Sequence, residues 1–154
     1  MPQKNPPTRM FLPLHTAVAS AVSKHNITPP PFNSTNTNLR TNKMYKTNIM
    51  GSFRCYNPSC SRRGWGSGRI GILIRRYTNG SYNAEVAAQR CKSCKRLGKM
   101  YVDKDCYVER VSYRLLAWAG VRQKQPEYES RRTPPHEKRL CEGCKRGICR
   151  ESGV

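Results

Sequence analysis

An α+β fold follows from three features of the 154-residue sequence. Two runs of alternating apolar and polar residues flank Asn79-Gly80, which predicts a β-hairpin or small antiparallel sheet. A later run, from Asp105 to Ala119, repeats apolar residues at helical spacing and predicts one main helix. The cysteines fall into short groups that follow a stretch poor in apolar residues, which predicts a small domain stapled through them. Hydrophobic residues make up 36% of the chain, below the about 45–50% of ordinary globular chains. A domain of about 100 residues behind a largely disordered arm fits that figure better than one core throughout.

The arm is residues 1–47. It is basic and of low complexity, rich in Pro, Asn and Thr, and carries too little apolar surface to offset its ordering entropy. One short amphipathic helix is expected within it, over residues 13–25, docked on the domain. Pro13 suits a first helical position, where no N–H is needed. Leu14, Val18 and Val22 recur every four residues, with Phe11 and Ala21 beside them. Two targeting readings compete. Lys4 and Arg9 ahead of an apolar run suggest a secretory signal, which Pro13, His15 and Thr16 interrupt. The acid-free start also resembles a mitochondrial presequence. The expected location is intracellular, in cytoplasm or nucleus.

The domain is residues 48–150, and residues 151–154 are a tail. Ile70, Ile72 and Ile74 alternate along one strand, and Tyr82, Ala84, Val86 and Ala88 along its return. Asn79 and Gly80 both tolerate the positive φ of a tight turn. Asp103 or Asp105 can cap the helix. Val108, Val111, Leu115 and Trp118 mark its buried face, and Gly120 suits a left-handed cap. Residues 122–135 return to turn chemistry.

The cysteines run Cys55-x4-Cys60, Cys91-x2-Cys94, Cys106, and Cys141-x2-Cys144-x4-Cys149, with His136 five residues before Cys141. A two-residue gap aims both thiolates at one metal about 2.3 Å away. Gly98, Gly143 and Gly147 are candidates for the positive φ that such knuckles need. Nearby cations (Lys92, Lys95, Arg96, Lys145, Arg146) favour the thiolate. With Cys106 set aside as a buried apolar residue, seven cysteines and His136 make eight ligands, which fill two tetrahedral zinc sites. Which ligands share a zinc cannot be read from spacing. Four disulfides are the rival reading, and they need an oxidising compartment.

Charge narrows the partners. The chain carries a formal +20, and residues 1–84 hold 12 basic side chains and no carboxylate. Such a balance favours polyanions: RNA, DNA or an anionic membrane surface. No stretch reaches the about 18 apolar residues of a membrane span, so no transmembrane segment is expected. No Gly-rich phosphate loop and no nucleophile–base pair stands out. The zinc deaminase pattern is absent too, since Glu137 follows His136 directly. Sites closed by four protein ligands lack a catalytic water position, so no enzymatic activity is expected.

Gly51-Ser52-Phe53-Arg54-Cys55 with Cys60, Trp65-Gly66-Ser67, the strand from Ile70 to Arg75, Tyr82-Asn83-Ala84, Gln89-Arg90-Cys91 with Cys94, Tyr107-Val108-Glu109-Arg110-Val111, Pro135-His136 and Cys141-Glu142-Gly143-Cys144 to Cys149 occur in one order. In that order they resemble the 3CxxC-type zinc-binding domain of fungal proteins, which has relatives in receptor-transporting and zygote arrest proteins. The resemblance implies structural zinc held by these cysteines and the histidine. The first pair departs from the pattern, with four residues between its cysteines rather than two, and Cys106 is an extra thiol. Likeness to zygote arrest proteins implies RNA binding. Arg54, Arg62, Arg63, Arg69, Arg75, Arg76 and Arg90 would meet phosphates, and Trp65, with Tyr56, Tyr77 and Tyr82, would stack bases. Likeness to receptor-transporting proteins implies an adaptor for protein clients in membrane-protein trafficking, with the Leu14/Val18/Val22 face as its docking element. The sequence leaves the oligomeric state open.

Overall fold

The computed structural model describes residues 5–35, 40–123 and 136–149. The tail at 151–154 and nearly all of the turn-rich stretch at 122–135 lie outside them. Five antiparallel strands form one sheet in the order β1-β4-β3-β2-β5. They are β1 (Thr8–Arg9), β2 (Thr41–Arg54), β3 (Gly64–Tyr77), β4 (Tyr82–Ala87) and β5 (Lys99–Val102). Helix α1 is His15–Ser23, α2 is Lys104–Trp118, and the four-residue α3 is Glu142–Lys145.

The expected hairpin is β3–β4, with Ile72 opposite Val86 and Ile74 opposite Ala84. Its turn uses one left-handed residue rather than two. Gly80 has φ +88°, its N–H donates to the Tyr77 carbonyl at 2.9 Å, and the Tyr77 N–H donates to the Ser81 carbonyl at 2.8 Å. This is a three-residue loop ending in a glycine bulge. Asn79 is a bracket instead, its Oδ1 accepting from the Ser81 backbone at 3.0 Å and hydroxyl at 2.6 Å.

Strand β2 begins inside the segment read as the arm. It is polar and weakly alternating, and it persists because β3 pairs with it from Thr41 to Arg54. Between Ile49/Ile70 and Gly51/Ser67 the register shifts by a bulge, so different parities of β3 face the core on its two sides. Ile70, Ile72 and Ile74 lie buried beyond the bulge, and Trp65 pairs with buried Phe53 before it.

Helix α2 closes as expected. The Asp103 carboxylate accepts from the Cys106 N–H at 3.0 Å. At the other end Gly120 has φ +88°, and the Gly120 and Val121 N–H groups donate to Ala117 and Leu116, a Schellman cap. Its buried residues include Tyr107, Val111, Leu115 and Leu116, while Val108 and Trp118 sit at the core margin. Cys106 is buried there, 7% exposed, as a small core residue.

The described arm lies on the domain. Asn5 donates to the Leu97 carbonyl, β1 pairs with β4, and Tyr82 exchanges backbone hydrogen bonds with Pro31 and Asn33. Helix α1 buries Val18 and Val22 in the common core, with Phe11, Leu14, Ile27 and Phe32 packed around them. Asn26, at φ +58°, turns the chain away after the helix. Composition understates this order because a few well-spaced apolar residues suffice once a sheet is there to receive them. No described helix is long and apolar enough to cross a membrane.

Candidate metal centres and the surface around them

The eight ligands gather into two clusters, Cys55, Cys60, Cys91 and Cys94 in one, and His136, Cys141, Cys144 and Cys149 in the other. Within each, the ligand atoms all lie within 4.8 Å of one another. Cys55 and Cys94 Sγ are 3.5 Å apart, Cys60 and Cys91 Sγ 3.7 Å. Bonds of about 2.3 Å to one tetrahedral zinc require edges of about 3.8 Å. A disulfide needs about 2.05 Å, and all eight cysteines are free thiols. His136 Nε2 stands 3.2 Å from Cys144 Sγ and 3.8 Å from Cys149 Sγ. The donor sets fit two zinc ions, one held by four thiolates and one by three thiolates and an imidazole.

Loops at one end of the sheet build the first cluster. Cys55 follows β2 directly, and its N–H donates to the Arg63 carbonyl at 3.0 Å, closing the loop that carries Cys60. Four residues fit between this pair because Asn57 folds them. Its carbonyl accepts from the Cys60 N–H, and its side chain from the Ser59 N–H. Cys91 and Cys94 lie on a knuckle between β4 and β5. Lys95, at φ +64°, takes its left-handed position, which the sequence reading gave to Gly98. Gly98 is needed for closeness instead, since a Cβ there would stand 2.7 Å from the Trp65 ring.

The second cluster lies on the sheet. Cys141 precedes α3, and its Sγ accepts from the Cys144 N–H at 3.3 Å. Gly147, at φ +70°, returns the chain toward Cys149. Gly143 has no positive φ, but a Cβ there would crowd Cys149 and Ala87 at 3.0 and 3.1 Å. On β3, Gly71 meets the Cys149 backbone so closely that a Cβ would fall 2.8 Å from its Cα. Buried Glu142 ties this lobe to the sheet through Arg90, 3.0 Å away. Asn48 on β2 accepts from the Cys149 thiol at 3.5 Å. The packing roles of Gly71, Asn48 and Glu142 are not legible in the sequence, because each owes its role to a residue remote in the chain.

The metal-free thiols have split affinities for protons. Hydrogen bonds from Cys149, set against burial and joined by others from His136 and Cys144, hold the Cys141 thiol down at about 4. Loss of surrounding water pushes Cys144 up to about 11 and Cys55 up to about 12. Zinc takes thiolates, so the protons on those thiols leave as it binds.

The arginines and aromatics expected to meet a polyanion divide. Tyr77 and Tyr82 are 4% and 0% exposed and cannot stack a base, because both pack into the fold. Arg75 pairs with Glu85 at 2.8 Å, and Arg90 with Glu142. Trp65 is half-buried, stacked on Phe53 at 5.2 Å, with Arg62 over its ring at 5.4 Å and its Nε1 donating to Gln89. Arg54, Arg63 and Arg69 are exposed, and Arg76 is half-buried on β3. Arg62, Trp65, Gly66, Arg69, Lys92 and His136 are among the residues lining a cleft of about 170 Å³ between the two clusters. Tyr101, which the sequence reading passed over, is 41% exposed and shares a 2.9 Å hydroxyl hydrogen bond with the 60% exposed Tyr56.

Residues 48–147 match the 3CxxC zinc-ribbon family model, described as a zinc-binding domain. The matched span holds every ligand except Cys149, which lies just past its end. No curated protein and no solved structure matches the chain.

Proposed function

The chain belongs to the 3CxxC zinc-ribbon family of zinc-binding domains, and on that premise we propose that it is a non-enzymatic, intracellular nucleic-acid-binding protein whose zinc is structural and whose preferred partner is RNA. The carrying observation is the charge around the first cluster. Arg54, Arg62, Arg63, Lys92, Lys95, Arg96 and Lys99 all lie within five residues of its ligands along the chain, all but Arg62 exposed, while β2, β3 and β5 contain no carboxylate. A zinc held by four thiolates has a formal charge of about −2. Seven cations exceed what that charge requires, even with Lys92 shared with Glu137 at 3.3 Å. The excess suits a phosphate backbone. Each cluster supplies four protein ligands, enough to close a tetrahedral zinc without a water position, which favours a structural role.

The adaptor reading takes the apolar face of α1, Leu14/Val18/Val22, as its docking element. Val18 and Val22 on that face are each 1% exposed and belong to the protein's own core, so that face offers little to a client.

The test is binding of the zinc-loaded protein to single-stranded RNA, duplex DNA and heparin across about 50–300 mM salt. Each phosphate contact on a single strand contributes a slope of about 0.7 log unit per log unit of salt. RNA is expected to remain preferred at the highest salt. Equal affinities that fall together would reduce the surface to unspecific electrostatics and overturn the reading.

A further inference from the structure

Resting on the nucleic-acid reading above, we infer that single-stranded RNA lies across the open sheet face formed by β5, β2 and the start of β3, with bases over Tyr101 and Gly66 and phosphates on Arg54 and Lys99. Directly opposed residues of antiparallel strands share a face. The register sets Tyr101, Ser52 and Gly66 in one row, and Lys99, Arg54 and Gly64 in the next. All six are exposed. The other side of this part of the sheet carries Phe53, Trp65 and Met100 and faces inward.

The glycines distinguish this face from an ordinary solvated one. Gly64 has a packing reason, since a Cβ would fall 2.6 Å from the Phe53 carbonyl oxygen. Gly66 has none among the described residues. Its φ is not left-handed, and a Cβ there would meet nothing within 4 Å. Glycine weakens a strand interior and often marks a close approach by another molecule. A bare peptide floor at Gly66 admits a flat ring that any side chain would lift away.

The surroundings favour a nucleic acid as that molecule. Tyr101 stands in the same row as the floor, across Ser52 from it, with Lys99 Nζ 5.6 Å from its ring centroid and its hydroxyl bonded to Tyr56. Exposed aromatic rings beside cations are the elements of a single-strand stacking platform. Gly66 also lines the cleft that holds Arg62, Arg69 and Lys92.

The experiment is fluorescence anisotropy of the full zinc-loaded chain with a dye-labelled single-stranded RNA of about ten nucleotides. Gly66→Val and Tyr101→Ala are compared with wild type and with Lys24→Ala, an exposed charge just past the end of α1. Each of the first two is expected to weaken binding about tenfold, the loss of roughly one stacked base. Gly66→Val should keep both zinc ions and melt no lower than wild type, because valine suits a strand and its Cβ meets no neighbour within 4 Å. A merely structural glycine would give the reverse pattern, with stability lost and affinity kept. Wild-type affinity in both variants, or losses no larger than that of Lys24→Ala, would overturn the inference while leaving RNA binding intact. If Gly66→Val loses zinc, Tyr101→Ala alone decides. Absence of RNA binding by the wild type would instead refute the parent reading, and this one with it.

Discussion

The second metal centre depends on a residue that binds no metal. Gly71 lies in mid-strand on β3, and its missing side chain is the space into which Cys149 fits. Gly71→Val would drive a branched side chain into that backbone and displace one ligand of four. Metal analysis of the purified variant should find one zinc per chain, with the first cluster still loaded. Two zinc ions would show that the lobe can shift without losing Cys149. The ligands themselves were legible in the sequence, because short chelating loops leave a spacing signature that needs no tertiary knowledge. Gly71 left none, since its constraint comes from a cysteine far along the chain. The turn glycines show the same limit. Gly147 takes positive φ as expected, but in the first knuckle Lys95 does so and Gly98 yields to the Trp65 ring. Spacing tells that a knuckle exists and leaves open which residue bends it.

Elements were legible where their period was local. The β3–β4 hairpin and α2 announce themselves through alternation, a turn glycine and a capping aspartate. Strands β2 and β5 do not. β2 is held by β3 on one side and, from Gly51 to Arg54, by β5 on the other, so its conformation comes from partners and not from its own pattern. Helix α1 lies between these cases. Its spacing was visible, and its burial depends on the sheet and α2. Val22 is 1% exposed, so Val22→Asp would bury a carboxylate without a partner. The expected cost is about 3 kcal/mol or more, read as a lowered midpoint in urea with zinc stoichiometry unchanged. An unaltered midpoint would mean that the arm contributes nothing to the stability of the fold.

At the scale of the molecule, the two clusters do different work. The first joins the β2–β3 loop to the β4–β5 connection, tying the far end of the sheet. The second fastens the C-terminal lobe onto β3 and β4, beside Gly71 and Ala87. The division of ligands between them was not readable from spacing, because it is set by the antiparallel sheet that brings the Cys55 loop to the Cys91 knuckle. The core between them is modest, with Ile70, Ile72, Ile74, Tyr82, Tyr107 and Leu116 among its largest buried side chains. Structural zinc contributes roughly 10 kcal/mol or more per site in finger peptides, more than the whole net stability of many domains. Two zinc ions therefore hold this fold together. The decisive measurement follows metal content and circular dichroism together as a strong chelator is added to the purified protein. Two zinc ions per chain are expected at the start, with loss of the sheet and helix signals as they leave. A chain stripped of both ions that keeps its full sheet and helix signals would contradict it.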